Sequence, residues 1–388
     1  MSITDENPSP GSPTHSPRRR RRARAFWSRH RRSLRVLLVV LLTGSVWLAF
    51  SVGQVLLAPG NDSVAARLAG WARGHGLGFA VLDLEKLQYA LHPPAVGGTP
   101  SASELQVLRH RRAALSLPRL HPFAHPPLKG EGVWHTVVRV HGRPAVAAAY
   151  LRPDTRHTSY LTGVAWMDPR LLRFSLHPGY QEPGGTWTVP DWVAPADRRG
   201  LVATWNGGFR MADAHGGFYL DGRTAGTLVN GAASEVFYRD GSMAIGSWNH
   251  EVSMTPNVVG VRQNLGLLID HGTIAPNIDA SHLFDWGLTL GGAYYIFRSG
   301  IGVTAQGDIV YASGNALSVA DLAHILKRAG CVRAMELDIN PAWVSYMTYQ
   351  AAGHPAQPTP TSLLPDYQRP ANRYYTHTSR DFVAVHAR

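Results

Sequence analysis

The chain has 388 residues, a net charge of +12 and a single cysteine. Ten arginines between Arg18 and Arg35, opposed in the same segment only by Asp5 and Glu6, account for +8 of that charge. Because the excess charge is confined to one tail, the high pI does not indicate a basic face for nucleic acid. The lone Cys331 excludes an intrachain disulfide, and its apolar neighbours predict a buried small residue rather than a nucleophile.

An uncharged apolar run from Val36 to Ala58 directly follows the arginines. Its 23 residues exceed the about 20 helical residues that cross a hydrocarbon core. Arginines on its N-terminal side predict a cytoplasmic N-terminus and a C-terminal bulk outside, as in a single-pass plasma-membrane protein with a signal anchor. A cleaved signal peptide is the alternative, although the run is longer than a usual signal-peptide core and Pro59 follows the plausible cleavage position.

The composition divides the chain into four predicted parts. Residues 1–35 are predicted to be a basic, disordered cytoplasmic tail, and residues 36–58 a transmembrane helix. Residues 59–130 are predicted to contain a juxtamembrane helix, Asp62 to Arg73, followed by a Pro-rich linker from Arg119 to Lys129. Residues 131–388 are long enough to form one large domain with a full core.

Within residues 131–388, short β-rich runs alternate with Gly, Pro and Asp turns. An α+β domain is therefore predicted, β-rich with mixed or antiparallel sheets and few helices, preceded by the one transmembrane helix. The predicted strands are His135 to Val140, Ala145 to Leu151, Leu201 to Thr204, Ser234 to Tyr238, Leu265 to Ile269, Tyr294 to Thr304 and Ile309 to Ala312.

One helix is predicted in this domain, from Ser318 to Ala329, with a capping box at its start. The strand expected after it contains the sequence AMELDI, Ala334 to Ile339. Alternation along a strand places Glu336 and Asp338 on one face, and Met335, Leu337 and Ile339 on the other, where the helix is expected to pack. Two acids in so apolar a segment indicate a functional site. The alternative is that both form salt bridges with nearby arginines.

The sequence WNGGF follows the predicted strand Leu201 to Thr204. Asn206 places an amide at the end of that strand, and Gly207 with Gly208 would let the backbone approach a ligand closely. Asn-Gly also forms ordinary tight turns, so both interpretations stay open. In the loop that follows, Asp213 and His215 are candidates for a proton carrier or metal ligands, or for solvated loop residues.

The sequence RSGIG places Arg298, Gly300 and Gly302 on one face of a strand. An arginine over a floor without side chains leaves room for a phosphate or sugar, and its planar fork can hold two phosphate oxygens. A structural ion pair with Glu336 or Asp338 would use the same geometry.

Taken in order, the WNGGF segment, the RSGIG segment, the Ser318 to Ala329 helix and the AMELD strand resemble the phosphodiester glycosidase family. The resemblance extends from about Val133 to Arg388. The sequences RPD, Arg152 to Asp154, and SRDFVAV, Ser379 to Val385, are similar to an extracytoplasmic bacterial branch. The resemblance implies that Asn206, Gly207 and Gly208 border the site, that Arg298 binds the phosphate or sugar, and that Asp338 is the carboxylate of the family's LDG segment. After that Asp the family typically has Gly-Gly-Gly-Ser, whereas this chain has Ile339 to Trp343.

The resemblance implies an enzyme that hydrolyses the glycosidic bond of sugar-1-phosphodiesters, here expected in envelope glycopolymers. Asp338 would act on the anomeric carbon, Glu336 would be the second acid, and Arg298 would stabilise the departing phosphate. The alternative is a non-catalytic glycan-binding module on the same fold. The sequence requires no cofactor, and a divalent cation is compatible with it. The substrate-binding candidates are Asn206, Gly207, Gly208, Arg298, Gly300, His215 and Trp343, of which Trp343, like Trp205 and Trp286, suits either sugar stacking or the core.

Overall fold

The computed structural model describes residues 17–109, 117–287, 293–351 and 353–388 and divides into two units, Met1–Ala58 and Pro59–Arg388. The first unit contains helix α1, Pro17–Leu56. The part of α1 from Ser33 to Leu56 is long and apolar enough to cross a membrane, although a signal sequence would meet the same criterion. Helix α1 also includes part of the segment predicted to be a tail, of which residues 1–16 lie outside the described residues.

The second unit consists of three antiparallel sheets with a few helices, and the predicted β-rich α+β fold is confirmed. Each predicted strand coincides with or overlaps an observed one. The helices are α2 Val64–Gly74, α3 Gly78–Leu91, α4 Ala102–Val107, α5 Met211–Ala214 and α6 Val319–Arg328. The strands are β1 His135–Val140, β2 Arg143–Leu151, β3 Thr162–Met167, β4 Leu172–His177, β5 Leu201–Asn206, β6 Phe218–Leu220, β7 Arg223–Ala225, β8 Ala233–Tyr238, β9 Met243–Ser247, β10 Val258–Gln263, β11 Leu267–Asp270, β12 Thr273–Ile274, β13 Ile296–Thr304, β14 Ile309–Leu317, β15 Cys331–Glu336, β16 Tyr346–Gln350, β17 Thr359–Ser362 and β18 Phe382–Ala387.

The largest sheet, sheet A, has eight strands in the order β1-β2-β3-β14-β13-β15-β11-β12. Sheet B has the order β17-β16-β5-β18-β4, and sheet C the order β7-β6-β10-β8-β9. One face of sheet A contributes to a core shared with sheets B and C, which includes Met335, Trp205 and Phe237. The other face packs against α6 in a second core.

Helix α6 begins with the expected capping box, in which Ser318 and Asp321 exchange hydrogen bonds. The face on which it packs was predicted wrongly. A Cβ atom on Gly300 would lie 3.1 Å from Leu326 and 3.2 Å from Leu322, so α6 covers the face that carries Gly300 and its register partner Glu336.

The error has a physical cause. Alternation along a strand predicts which residues share a face, but it does not predict which face receives a helix. Met335 and Leu337 face the core shared with sheets B and C. Ile339 joins Ala334 in the core beneath α6, because β15 ends at Glu336 and the strict alternation ends with it.

The segment before residue 131 packs against the rest of the second unit. Leu120 and Ala124 are buried, and Trp134 donates a hydrogen bond from Nε1 to the Pro118 carbonyl at 2.9 Å. Helices α2 and α3 pack on each other. The domain boundary at residue 131 stays a prediction, but residues 59–388 form one compact unit. Cys331 is buried, as predicted.

Candidate active site

A cavity of about 390 Å³ lies beside the end of β15. Three of the candidate residues from the sequence, Asp213, Asp338 and Trp343, line it. The loops after β5 and β15, the loop before β18, and helices α2 and α3 all contribute to its wall. Besides those three residues, its lining includes Arg73, Phe79, Leu82, Glu85, Phe209, Arg210, Ile339, Asn340 and Arg380.

Asp338 follows β15 and is almost fully buried. The Ser299 hydroxyl contacts its backbone N–H at 3.1 Å and donates to its backbone carbonyl at 2.9 Å. Its carboxylate accepts hydrogen bonds from the Asn340 backbone N–H at 2.8 Å and from Arg380 Nη2 at 3.2 Å. Burial raises the pKa of Asp338, and the Arg380 charge opposes that rise. The result is a fixed carboxylate at the cavity wall.

Arg380 is the cation that contacts Asp338 at the cavity, and the sequence analysis did not identify it. Its Nη2 also donates to the Gly208 carbonyl at 3.1 Å, and its guanidinium lies 5.3 Å from the Trp343 ring centroid. Its buried Nε has no hydrogen-bond partner among the described residues. The available signal was the Arg-Asp pair in front of the apolar strand FVAV, within the segment that resembles the bacterial branch.

Arg298 and Glu336 form a separate pair behind the strand end. Arg298 Nη1 donates to Glu336 Oε1 at 2.6 Å, and both side chains are fully buried. Arg298 also donates to the carbonyls of Leu317 and Tyr294. Burial raises the pKa of Glu336 to about 7, while Arg298 lowers it. Neither residue lines the cavity. The geometry is therefore that of the structural ion pair weighed above, and the Asp338 carboxylate contacts Arg380 instead.

Asn206 links strands next to the site. Its Nδ2 donates to the Ser299 hydroxyl at 3.1 Å, and its Oδ1 accepts from Tyr311 Oη at 2.9 Å and from the Ser345 N–H at 3.0 Å. Since both ends of the amide are bonded inside the protein, Asn206 supports the strand ends of sheets A and B. The neighbouring Trp205 is fully buried in the core.

The two glycines of the NGGF segment permit close approach of buried polar groups. A Cβ on Gly207 would lie 2.0 Å from Asp381 Oδ2, and one on Gly208 would lie 3.0 Å from Asn264. Asp381 pairs with Arg262 at 2.7 Å, and both of these side chains are fully buried. Arg262 also donates to the Phe209 carbonyl.

Asn264 extends this network toward the strand end. It donates to the carbonyls of Glu336 and Leu337 at 2.8 and 3.0 Å, and its Oδ1 accepts from the Phe209 N–H. Sequence reasoning missed Arg262, Asn264 and Asp381. The signal for Arg262 and Asn264 was the polar Arg-Gln-Asn run at the end of an otherwise apolar strand, and that for Asp381 was the Arg-Asp pair before the strand FVAV.

The remaining predicted residues divide between surface, core and cavity. His215 is exposed at the end of α5 and does not line the cavity, whereas Asp213 does. Gly300 faces α6 rather than the cavity. Trp286 is buried and donates to a backbone carbonyl, which assigns it to the core. Trp343 is half-buried at the cavity, where Arg369, Arg373 and Arg380 approach its ring.

Among the described residues, one His/Asp/Glu group has ligand atoms close enough for a metal, and it lies away from the cavity. Glu251, Asp270 and His271 place one such atom each within 4.8 Å of the others. Arg333 Nε lies 3.6 Å from Asp270 Oδ1 and supplies a competing positive charge.

Part of the chain matches a known protein family. Residues 199–338 match the model of the phosphodiester glycosidase family. This segment belongs to that family. The match is narrower than the span from Val133 to Arg388 over which the sequence resembles the family. It contains Asn206, Arg298, Glu336 and, as its last residue, Asp338.

Several solved structures are similar to this chain. The catalytic domain of zebrafish N-acetylglucosamine-1-phosphodiester alpha-N-acetylglucosaminidase, auto-inhibited by its pro-peptide, is 14% identical with a TM-score of 0.41, over 66% of this chain and 88% of that one. A hypothetical protein from Synechocystis is 12% identical with a TM-score of 0.40, over 64% of this chain and 63% of that one. A Burkholderia pseudomallei protein is 12% identical with a TM-score of 0.31, over 58% of this chain and 74% of that one. No curated protein sequence matches the chain significantly.

The glycosidase-family segment supplies only part of the cavity. Arg380 and Trp343 lie after residue 338, and Arg73 and Glu85 lie far before residue 199. The family segment thus provides the carboxylate of Asp338, whereas the cation beside it comes from the loop before the C-terminal strand β18.

We predict that Gly207→Ala destabilises the protein, because the new methyl group would overlap the Asp381 carboxylate and its backbone carbonyl. Such overpacking commonly costs about 1–3 kcal/mol, and sometimes more. Thermal unfolding of the two proteins measures the difference. Gly266→Ala is the matched control, since a Cβ at Gly266 meets nothing within 4 Å. Equal melting temperatures for Gly207→Ala and wild type would show that Asp381 does not occupy this position.

Glu235 is a fully buried acid on β8 next to the Arg262–Asp381 pair. Its Oε1 accepts a hydrogen bond from Trp205 Nε1 at 3.3 Å, and its Oε2 has no partner among the described residues. Burial raises the pKa of Glu235 from 4.5 to about 8; the Trp205 hydrogen bond and the Arg262 charge lower it, and the Asp381 charge adds to the rise. Between pH 4.5 and about 8, the Glu235 carboxyl therefore keeps its proton in the folded chain and loses it in the unfolded chain.

We predict that stability falls as pH rises between about 5 and 8, because the folded state binds more protons than the unfolded state in this range. Glu235→Gln keeps an acceptor for Trp205 but cannot ionise. Its melting temperature should fall less than that of wild type over the same range, by at least ~2 °C. The control is Glu251→Gln: burial raises the pKa of Glu251, but hydrogen bonds outweigh this and lower it overall. Identical pH profiles for wild type and Glu235→Gln would contradict the prediction.

Proposed function

We propose that the protein is a membrane-anchored extracytoplasmic hydrolase that cleaves the glycosidic bond of sugar-1-phosphodiesters in envelope glycopolymers. One observation carries the proposal: the family match ends at Asp338, and the carboxylate of that residue lies in a cavity wall beside the Arg380 guanidinium. This reaction needs a carboxylate and a permanently charged cation at one cavity, and Asp338 and Arg380 supply these two groups.

The reaction develops opposite charges at its two ends. Positive charge builds on the anomeric carbon, and negative charge remains on a phosphate that leaves with little need for an acid. Asp338 would stabilise or attack the anomeric carbon, or activate water. Arg380 would hold the departing phosphate, since its planar guanidinium can bind two oxygens and its Nε has no hydrogen-bond partner in the part of the chain that the structure describes.

Glu336 and Arg298, predicted above as catalytic, are proposed here to position Asp338. Their buried pair lies behind the strand end, and Asn264 binds the carbonyls of Glu336 and Leu337. These contacts fix the backbone that carries Asp338 at the cavity. Trp343, whose ring lies near three arginines, is proposed to offer a stacking surface for a sugar.

A non-catalytic glycan-binding module is the second candidate, and one observation favours it. Both oxygens of the Asp338 carboxylate already accept hydrogen bonds, from Asn340 and Arg380. Ile339 and Asn340 follow this Asp where the family typically has glycines. Such a site could bind a glycan without turning it over.

We predict that the full-length protein in detergent releases sugar from a panel of sugar-1-phosphodiesters. Asp338→Asn should lower kcat by about 10²-fold or more, because an amide cannot offset developing positive charge or accept a proton. Arg380→Lys should also slow turnover, because a point charge does not replace a planar fork at a phosphate.

Asp221→Asn is the matched control, because Asp221 is exposed and does not line the cavity. Melting curves check that every variant folds. Binding of the panel by wild type without any turnover would favour the glycan-binding module. Equal turnover by wild type and Asp338→Asn would mean that the catalytic carboxylate lies elsewhere.

The proposed location rests on α1 and the charges before it. An apolar segment with arginines on its N-terminal side favours a cytoplasmic N-terminus. We predict that protease added to spheroplasts digests the domain after residue 58, while an N-terminal epitope tag stays protected and attached. Loss of the tag from the mature protein would indicate a cleaved signal peptide. Protection of the domain in sealed spheroplasts would contradict the topology.

A further inference from the structure

Helix α3 has an exposed apolar stripe, which we define as Leu84, Leu87 and Leu91. These side chains are 67%, 54% and 65% exposed. Positions three and seven residues apart lie on one face of a helix, so the three leucines form a continuous apolar surface. Single exposed leucines are ordinary, but an apolar stripe along one helix indicates a partner.

The opposite side of α3 is occupied by the protein itself. Val81 is buried, and Tyr89 packs against the core beneath α6. Glu85 accepts two hydrogen bonds from Arg73 at 2.6 and 2.7 Å, which ties α3 to α2. Leu82 and Glu85 line the cavity. The orientation of α3 is therefore fixed, and the stripe faces outward.

The position of α3 in the chain, after α2 and the apolar segment of α1, indicates what binds the leucine stripe. That segment ends at Leu56 and α2 begins at Val64, so the connecting residues 57–63 span at most roughly 25 Å when extended. In an anchored chain, α2 therefore begins within that distance of the bilayer, and α3 packs on α2. The 14 residues of α3 are fewer than the about 20 that cross a bilayer, so this helix would lie in the interface rather than span it.

We propose that α3 docks on the lipid bilayer through the stripe of Leu84, Leu87 and Leu91. The proposal rests on the membrane anchoring proposed above. The stripe contains no charged residue, which suits the boundary between headgroups and acyl chains. A second copy of the chain fits less well, because three leucines offer little area against the about 800 Å² per partner of a stable interface.

Site-specific labelling of the full-length chain in phosphatidylethanolamine–phosphatidylglycerol vesicles tests the docking. Cys331 is buried and burial raises the pKa of its thiol, so an introduced exposed cysteine is labelled selectively. The polarity-sensitive NBD fluorophore is placed on Leu87→Cys and on Leu91→Cys. Lys86→Cys, an exposed position on another side of the same helix, is the matched control. Val46→Cys reports on the proposed span.

A lipid carrying a nitroxide near the top of its acyl chain should quench the Leu87 and Leu91 labels at least about twofold more than the Lys86 label. Equal quenching of the three labels, with the Val46 label strongly quenched by a second lipid whose nitroxide lies deep in its acyl chain, would overturn the docking and leave the anchoring intact. A Val46 label that this deep nitroxide does not quench would refute the anchoring itself. Disulfide-linked dimers of Leu87→Cys, with no quenching by lipid, would assign the stripe to a second copy and overturn the proposal.

Discussion

The buried ion pair between Arg262 on β10 and Asp381 before β18 joins sheets C and B next to the cavity. Asp381 also accepts the Gly207 N–H at its carbonyl, and Arg262 donates to the Phe209 carbonyl. These bonds hold the backbone at Asp381 in place. They therefore also position the adjacent Arg380, whose guanidinium contacts the Gly208 carbonyl and the Asp338 carboxylate. Removing either partner of the pair would leave an uncompensated buried charge, at a cost of about 3–5 kcal/mol.

The end of β15 separates two acids that are only two residues apart. Glu336 is the last residue of the strand and pairs with Arg298 beneath α6. Asp338 lies beyond the regular strand and pairs with Arg380 at the cavity. Burial raises the pKa of both acids, and a different arginine opposes the rise in each case. One acid is therefore paired inside the core, and the other faces the space that a ligand can enter.

Local patterns predicted much of the fold but little of the pairing at the site. Alternation and turn residues located the strands, and a capping box located α6, because these signals lie within a few residues of each other. The partner of Asp338 is 42 residues away in the chain and that of Asp381 is 119 residues away. No local periodicity contains such information. The sequence contained several arginines that could pair with Asp338, and only the sheet order brings Arg380 to it.

The contribution of α2 and α3 to the cavity could not be predicted either, because it also depends on contacts between separate elements. The helical period of Asp62 to Arg73 predicts a helix, and the structure has one at Val64–Gly74. The same period does not show that its Arg73 will bind Glu85 of α3 at a cavity wall. The sequence predicted a juxtamembrane helix outside the domain of residues 131–388, whereas packing makes α2 and α3 part of the same compact unit as the sheets.

The charges around the cavity constrain how an anion can bind there. The lining includes three arginines, and each is already paired with a carboxylate: Arg73 with Glu85, Arg210 with Glu182, and Arg380 with Asp338. An anion that binds at one of these arginines must therefore compete with an acid for its cation. Among the described residues, the buried Nε of Arg380 has no hydrogen-bond partner. An anion bound there would also draw Arg380 away from Asp338, which would free the carboxylate while a sugar occupies the cavity.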